Sequence, residues 1–363
     1  MLTYKIGITL IPGVGDITAK KLIAYCGGIE NVFKEKKAHL VRIPGISDIT
    51  AKAIITQNIL KRAEEEIRFI EKYKITPLFF LDKDYPERLK NCSDSPVILY
   101  YKGNACLNVQ KTLAIVGTRK ATEYGKEICK KIIEELSSLD VFIVSGLAYG
   151  IDICAHKTAL ENNLKTVAVL GHGLDMIYPS VHKPVAEKML KNGGILTEFI
   201  SKTKPDIPNF PKRNRIIAGM ADAVLVIETK ERGGSLITSE IANSYNRDVF
   251  AVPGRINDEY SRGCHYLIKT NKAALVESAR DIIYFMNWED KQNKKGNIQK
   301  KLFVEMSDDE KIIMNFLNEN ESLPIDAICY KTELGHGRIS AALLNLEFSG
   351  LLKSLPGKIY KRI

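Results

Sequence analysis

Ile115-Val116-Gly117-Thr118-Arg119 is the end of a short, β-branched apolar run that stops at a glycine and is followed by a hydroxyl residue and an arginine. Similar apolar runs recur along the middle of the chain, with helical patterns between them. This alternation predicts an α/β fold, a Rossmann-like doubly wound core whose parallel sheet carries helices on both faces. The predicted strands are 113–116, 141–144, 166–170, 223–227 and 249–252, and the helical patterns include 126–139, 156–162 and 235–243.

The first 74 residues contain an internal repeat. Residues 11–23 and 43–55 are identical at nine of 13 positions, and in each copy a Pro-Gly turn precedes an apolar helix. We therefore predict an N-terminal helical domain over 1–74 with tandem helix-hairpin-helix repeats, a SAM-like arrangement. Its turn amides can hold a phosphate, or the units can serve helix packing alone. Ser47 replaces Gly15 in the second copy, and we expect this to weaken that hairpin because serine tolerates positive φ poorly.

The remainder of the chain divides at a polar segment. The Rossmann-like core is predicted over 75–289, and residues 290–302 are a basic linker with a net charge of +4. Residues 303–363 carry patterns for three helices, starting near 308, 324 and 337, and then a hairpin that turns at Pro356-Gly357. Three helices and a hairpin predict a winged helix.

Charge and cysteine content limit the class of protein. The formal net charge is +10, which favours polyanionic partners. The winged helix has a net charge of −2, which favours a protein-contact or regulatory role over duplex binding. Seven cysteines without a C-x-x-C pair predict reduced thiols in a cytosolic protein, with no disulfide framework and no metal site. No apolar stretch has the roughly 20 residues that span a bilayer, so no membrane association is expected.

Several motifs combine glycine with basic or hydroxyl residues after predicted strands, where an α/β sheet binds ligands. Each has a plain alternative: a tight turn with a solvated Arg119, a surface Lys183, or a core Phe210. The Pro-flanked segment at Phe210 is predicted to be a loop in which an aromatic ring stacks on a base beside basic residues. Asp152 and His156 share a helix face, either as an acid/base pair or as a helix cap with a packed imidazole. The motifs are 115–119, 145–152, 169–175, 208–219 and 232–240.

Common catalytic signatures do not occur. The sequence has no G-x-x-x-x-G-K-[ST], no H-E-x-x-H and no G-x-S-x-G. ATP hydrolysis and the usual hydrolase reactions therefore lack support, and we expect a non-catalytic protein without a cofactor.

Taken in order, the motifs resemble those of the DNA-processing protein A (DprA/Smf) family over essentially the whole chain. The resemblance includes Asp84-Tyr85-Pro86, Lys102-Gly103-Asn104, 209–219 and 249–254. It implies a recombination mediator that binds single-stranded DNA in a basic pocket, protects incoming DNA, forms a homodimer and loads RecA recombinase during natural transformation.

The resemblance also assigns residues. It implies dimer or RecA contacts in 263–276, through His265, Ile268 and Leu275. Tyr149 stands where the family usually has Arg, and we expect lower affinity or weaker salt dependence if that position matters. The DNA-binding residues that it implies are Gly117, Thr118, Arg119, Ser145, Gly146, Lys183, Phe210, Lys212, Arg213, Asn214, Arg215, Gly233, Gly234 and Ser235.

One enzyme alternative stays open. Gly233-Gly234-Ser235 with Thr238 and Glu240 is similar to the Gly-Gly-x-Gly-Thr-x-x-Glu motif of lysine-decarboxylase-like phosphoribohydrolases, which cleave nucleoside monophosphates. Ser235-Leu236 departs from that motif at the third glycine. In this reading Glu240 is the catalytic carboxylate.

Overall fold

The computed structural model describes residues 1–56, 59–288, 306–319, 322–332, 334–349, 351–355 and 358–362. The chain forms two compact units, Met1–Glu289 and Asp290–Ile363. The predicted linker 290–302 and the predicted turn at Pro356-Gly357 lie outside the described residues.

The first unit is built on a nine-stranded sheet. Its strands are β1 (Thr76–Phe79), β2 (Ile98–Gly103), β3 (Thr112–Val116), β4 (Phe142–Ser145), β5 (Thr166–Val169), β6 (Gly193–Thr197), β7 (Ala223–Val226), β8 (Asp248–Ala251) and β9 (Ala274–Leu275). Their order is β1-β2-β6-β5-β4-β3-β7-β8-β9. The strands from β6 to β9 run parallel, whereas β1 and β2 extend the sheet antiparallel beyond β6. The predicted parallel sheet is confirmed, and its five predicted strands are β3, β4, β5, β7 and β8.

Burial on both faces explains the continuous apolar strands. Along β3, Leu113 and Ile115 belong to one apolar cluster, and Ala114 and Val116 belong to another. Successive side chains point to opposite faces of a sheet, so each strand contributes to two cores. The four strands that the sequence did not predict carry weaker signals: β6 begins with two glycines, and β1 contains Pro77, which an edge strand tolerates.

Helices cover both faces of this sheet. One apolar face packs against α8 (Glu123–Leu136), α9 (Ile151–Glu161) and α14 (Ala279–Phe285). The other packs against α11 (Asn209–Met220), α12 (Gly234–Ser244) and α13 (Arg262–Lys269). The short helices α7 (Glu87–Lys90) and α10 (Lys183–Met189) lie in connections. The predicted helices are present, with α8 and α9 beginning three and five residues earlier than expected.

The winding of the sheet determines where a ligand can bind. The chain runs from β3 through β4 and β5 to β6, and then returns to the other side of β3 to form β7, β8 and β9. The connections after β3 and β7 therefore leave in opposite directions and open a crevice beyond the carboxyl ends of these two strands. Ligands of doubly wound folds bind at this switch point.

The N-terminal helical region belongs to the first unit as well. Its helices are α1 (Leu2–Gly7), α2 (Asp16–Tyr25), α3 (Ile29–Lys34), α4 (Lys37–Leu40), α5 (Asp48–Thr56) and α6 (Leu60–Tyr73). They enclose their own apolar cluster, which also includes Phe79 and Val97 of the core. The domain boundary at residue 74 stays a prediction, since residues 1–289 form one compact unit.

The two sequence repeats form matching turns. Val14 N–H donates to Ile11 and Ile46 N–H donates to Ile43, with φ of +78° at Gly13 and +88° at Gly45. Proline followed by glycine at positive φ is the pattern of a type II turn.

The reason for expecting a weaker second turn does not hold. The positive φ falls on Gly45, two residues before Ser47, and the Ser47 Oγ accepts the Thr50 N–H at 3.1 Å. Ser47 thus satisfies a free amide at the start of α5.

The second unit is a winged helix, as predicted. It contains α15 (Asp308–Glu319), β10 (Leu323–Pro324), α16 (Ile325–Thr332), α17 (His336–Phe348), β11 (Leu352–Leu355) and β12 (Ile359–Arg362). The three strands form an antiparallel sheet in the order β10-β12-β11. Leu317, Ile328 and Leu343 are among the residues of its apolar core.

The described residues include no helix that combines the length and the apolar character that crossing a membrane requires. They contain no group of three or more His, Cys, Asp or Glu suited to a metal ion. All seven cysteines lie in the described part of the chain as free thiols.

Candidate nucleic-acid interface

A pocket of about 350 Å³ lies at the switch point, beyond the carboxyl ends of β3 and β7. It collects nine of the 14 predicted DNA-binding residues: Gly117, Thr118, Arg119, Phe210, Arg213, Asn214, Gly233, Gly234 and Ser235. Val116, Ala148, Asp152, Pro211, Ile217, Thr229, Lys230, Ile237 and Thr238 complete its lining. Four segments that are distant in sequence therefore meet at one place.

The turn between β3 and α8 is held by Glu228, a residue outside the predicted motifs. Its backbone carbonyl accepts the Thr118 N–H at 2.7 Å. Its carboxylate accepts the Thr122 N–H at 2.9 Å and the Thr122 hydroxyl at 2.5 Å. A Cβ on Gly125 would overlap this carboxylate. The only sequence signal is an acidic residue directly after a buried strand.

Arg119 and Phe210 form a cation–π pair at the mouth of the pocket. The guanidinium carbon lies 5.1 Å from the ring centroid, and Arg119 is exposed to solvent. A guanidinium beside an aromatic face offers one group for a phosphate and one for a base.

The Pro-flanked loop predicted at Phe210 is wrong, because Asn209–Met220 is helix α11. Pro211 lies in its first turn, where a helix tolerates proline because the N–H groups there have no partner within the helix.

Arg213 is inside the protein rather than at its surface. The residue is 5% exposed, and its Nη1 donates to the Val169 carbonyl at 2.7 Å. Burial lowers the pKa of the guanidinium to about 10, an effect that Asp152 partly offsets. Arg213 thus presents a fixed positive charge at the floor of the pocket.

Gly146 explains how Arg213 fits. The resemblance implies that Gly146 binds DNA, but a Cβ here would overlap the Arg213 guanidinium. The space beside Gly146 is therefore occupied by protein. The role of this glycine is to admit a buried arginine.

The amino-terminal end of α12 also lines the pocket. Gly233 precedes the helix, and Gly234 and Ser235 are its first residues. The Ser235 Oγ is buried and has no hydrogen-bond partner among the described residues. Free amides and the helix dipole favour an anion at such an end.

Lys230, which lies outside the predicted motifs, lines the same pocket. Its Nζ lies 2.7 Å from Glu259 and 5.0 Å from the centroid of the Tyr260 ring. A lysine shortly after a strand in this fold is the signal that could have identified it.

Five predicted DNA-binding residues are not part of the pocket lining. Ser145 and Gly146 lie behind it, and the Ser145 hydroxyl donates to the Ile115 carbonyl at 2.6 Å. Lys183 is exposed at the first position of α10. Lys212 and Arg215 line a different cleft, of about 590 Å³, between the helical region and the core.

Arg215 joins these two parts of the unit. Its guanidinium contacts the Asp94 carbonyl, the Glu198 carboxylate and, at 3.0 Å, the Asp16 carboxylate of α2. Burial raises the pKa of Glu198 to about 7, although Arg215 opposes this shift. A guanidinium with three protein acceptors has little capacity left for a phosphate, so the geometry favours a structural role for Arg215.

Asp152 and His156 have separate environments. Asp152 lines the pocket, and burial raises the pKa of its carboxyl, with Arg213 opposing. The His156 Nδ1 is 2.7 Å from the Thr166 hydroxyl, and burial lowers the imidazole pKa to about 3. A buried neutral imidazole bonded to a threonine favours the packed-histidine interpretation over the acid/base pair.

Tyr149 lies next to this region. Its side chain is 50% exposed and meets the His182 ring edge-on, with 5.0 Å between the ring centroids. The His182 Nδ1 lies 2.8 Å from the Leu147 carbonyl. The tyrosine ring is therefore held on the surface.

The geometry does not favour the phosphoribohydrolase alternative. Glu240 is exposed, and its carboxylate lies 3.4 Å from the Lys272 Nζ. The described residues that line the pocket do not include it.

The predicted dimer or RecA contacts lie at the β9 edge of the sheet. Leu275 in β9 is 45% exposed, and Ile268 packs partly buried against the core. The His265 Nε2 lies 3.0 Å from the Gly254 carbonyl. Whether this edge contacts another chain stays a prediction.

Family models match nearly the whole core and the winged helix. The model of DNA recombination-mediator protein A matches residues 76–287, and that of the DprA winged helix domain matches residues 304–358. Protein Smf of Synechocystis is 33% identical over 394 residues, which cover 99% of this chain and 98% of that protein.

Solved structures agree with these matches. DNA processing protein A of Streptococcus pneumoniae superposes with a TM-score of 0.69 at 36% identity, over 78% of this chain and 98% of that one. DNA processing protein A of Helicobacter pylori, whose structure was described for its single-stranded DNA binding mode, superposes with a TM-score of 0.54 at 28% identity, over 59% and 96%. The chain therefore belongs to the DNA recombination-mediator protein A (DprA/Smf) family.

Proposed function

We propose that this chain binds single-stranded DNA at the switch-point pocket as a recombination mediator and catalyses no reaction there. The observation that carries the proposal is that the Arg119–Phe210 pair and the amino-terminal end of α12 line one pocket. The arginine and the helix amides suit phosphates, and the ring suits a stacked base. The Helicobacter pylori relative, described for its single-stranded DNA binding mode, supports the same ligand.

The pocket suits a single strand because it is narrow and combines an aromatic ring with positive charge. A cavity of about 350 Å³ holds a nucleotide or two rather than a duplex. Stacking on Phe210 also requires an unpaired base. The cationic side chains that line the pocket are those of Arg119, Arg213 and Lys230.

We further propose that the chain acts in the cytoplasm as a homodimer, protects incoming DNA and loads RecA recombinase during natural transformation. Leu275, exposed on an edge strand, and the neighbouring Ile268 and His265 are the proposed contacts. Two pockets in one dimer would bind a strand with higher avidity than one pocket. The winged helix is assigned a protein-contact or regulatory role.

The test is a salt titration of purified full-length protein with oligo-dT and with a duplex of equal length. We expect tighter binding of oligo-dT, with log affinity falling linearly against log salt by about 0.7 for each phosphate neutralised. Equal or tighter binding of the duplex contradicts the proposal.

A second assay addresses catalysis. The protein is incubated with nucleoside monophosphates, and free base is sought by chromatography, with Glu240→Gln as the comparison variant. We expect no release. Release by the wild type and not by Glu240→Gln would establish the phosphoribohydrolase activity instead.

A further inference from the structure

A further pocket, of about 600 Å³, lies beyond the carboxyl end of β8 and has no part in the function proposed above. We call it the β8 pocket. Because β8 is the neighbour of β7 in the parallel sheet, this pocket and the switch-point pocket lie at the same edge of the sheet. Its described lining comes from the start of α8 and from the segment after β8: Thr122, Tyr124, Pro253, Gly254, Arg255 and Asp258.

The two pockets share one turn, the connection between β3 and α8. Thr118 lines the switch-point pocket and Thr122 lines the β8 pocket. Four residues span at most about 14 Å. Glu228 holds both ends of this turn, since its carbonyl accepts the Thr118 N–H and its carboxylate accepts the Thr122 N–H. A single strand that occupies one pocket can therefore reach the other within a few nucleotides.

Tyr124 supplies the β8 pocket with a fixed aromatic ring. The residue is 44% exposed, and its hydroxyl donates to the Pro253 carbonyl at 2.8 Å. This bond ties the start of α8 to the segment after β8, so the ring is ordered while much of its surface stays open to solvent. A ring that is already held in place stacks on a base with little further loss of conformational freedom.

Arg255 adds a positive charge to the same pocket. Its side chain is exposed, and no carboxylate of the described residues lies within ion-pair distance of its guanidinium. Asp258 is the acidic residue of the lining, and its carboxylate accepts the Tyr260 N–H at 2.9 Å. The Arg255 guanidinium thus keeps its donors for an anion and can make a two-pronged bond to a phosphate.

We propose that the β8 pocket is a second nucleotide subsite for the same single strand, in which Tyr124 stacks on a base and Arg255 binds a phosphate. The inference rests on the proposed function, because the strand reaches the β8 pocket from the switch-point pocket. One ring and one guanidinium also form the pair of Phe210 and Arg119 in the switch-point pocket. Neither group selects a particular base, so the second subsite accepts any sequence.

Photo-crosslinking locates the bases on the wild-type protein. Oligo-dT that carries 4-thiothymidine at one position at a time is bound to the full-length chain, irradiated, and digested for mass spectrometry. We expect one position to crosslink to the peptide that contains Phe210. A position a few nucleotides away should crosslink to the peptide that contains Tyr124 or to that of 253–258. Crosslinks at Phe210 alone, from every position tested, overturn the second subsite.

Variants test the ring and the charge separately. Tyr124→Ala should weaken oligo-dT binding by about fivefold or more, whereas Tyr124→Phe keeps the ring and should stay close to the wild type. Arg255→Gln should reduce the slope of log affinity against log salt by about 0.7. Its combination with Arg119→Ala should reduce the slope by about 1.4, because the two arginines bind different phosphates. Arg68→Gln, at an exposed arginine of α6 that lines neither pocket, should leave the slope unchanged.

The outcomes distinguish this inference from the proposed function. Circular dichroism first establishes that each variant is folded. Wild-type affinity and slope in Tyr124→Ala and Arg255→Gln, together with a loss of affinity in Phe210→Ala, overturn the second subsite and leave the proposed function intact. Wild-type protein that binds no oligo-dT overturns both.

Discussion

The guanidinium of Arg119, from the turn after β3, lies over the ring of Phe210, from the first turn of α11, with 5.1 Å between the guanidinium carbon and the ring centroid. The two groups come from the connections that follow β3 and β6. Their contact creates a surface where a phosphate and a base of one strand can be bound together. The first two predictions test the two halves of this pair.

Arg119→Ala should weaken oligo-dT binding and reduce the slope of log affinity against log salt by about 0.7, because one phosphate contact is lost. The measurement is a salt titration by fluorescence anisotropy. Lys188→Ala is the matched control, since Lys188 is an exposed cation on α10 outside the pocket lining. An unchanged slope and affinity for Arg119→Ala would remove this residue from the binding site.

Phe210→Ala should weaken oligo-dT binding by about 1–3 kcal/mol, the range for one stacked base. The salt slope should stay nearly constant because no charge is removed. Phe210→Tyr keeps the ring and should retain most of the affinity. Equal losses in both variants would argue against stacking. Circular dichroism establishes that each variant is folded.

Gly146→Ala should destabilise the protein by about 1–3 kcal/mol, because the added methyl group forces the Arg213 guanidinium out of a packed site. DNA affinity should fall with it. Chemical denaturation measures the first effect. The control is Gly15→Ala, at a glycine with negative φ and nothing within 4 Å of the new carbon. Similar stabilities for the two variants would contradict the packing of Arg213 on Gly146.

Tyr149→Arg should raise oligo-dT affinity and steepen the salt slope by about 0.7, because it places a cation beside the pocket. The tyrosine is half exposed, so the replacement should leave stability nearly unchanged. Tyr149→Gln, with no charge, controls for loss of the ring. A slope that Tyr149→Arg leaves unaltered would place position 149 off the path of the strand.

Glu198 should make stability fall as pH rises. Burial raises its pKa from 4.5 to about 7, so the native state binds a proton more tightly than the unfolded chain. Its contribution is complete below about pH 4.5 and is lost as pH rises toward 7. We expect the free energy of unfolding of Glu198→Gln, relative to that of the wild type, to rise by about 1–3 kcal/mol as the pH increases from 4.5 to about 7. The exposed Glu187→Gln should follow the wild type, and parallel curves for Glu198→Gln would refute the shift.

The sequence alone indicated the sheet, because continuous apolar runs such as 113–116 and 223–227 that alternate with helical patterns are typical of parallel strands with both faces covered. It also indicated the paired Pro-Gly turns at Gly13 and Gly45. It located glycine and arginine beyond strand ends, which in this fold meet at one edge. Those local signals were sufficient for the fold and for the position of Arg119, Gly233 and Gly234 at the switch-point pocket.

Only the tertiary structure decided which basic residues face the pocket. Arg213 and Arg215 are two positions apart, and the sequence does not separate their roles. Because 209–220 is a helix, their side chains leave it in directions about 160° apart. Arg213 enters the pocket floor beside Gly146, whereas Arg215 meets the carboxylates of Asp16 and Glu198. The acceptors of each arginine come from segments that are distant in sequence. The surroundings of the two arginines therefore follow only from the tertiary structure.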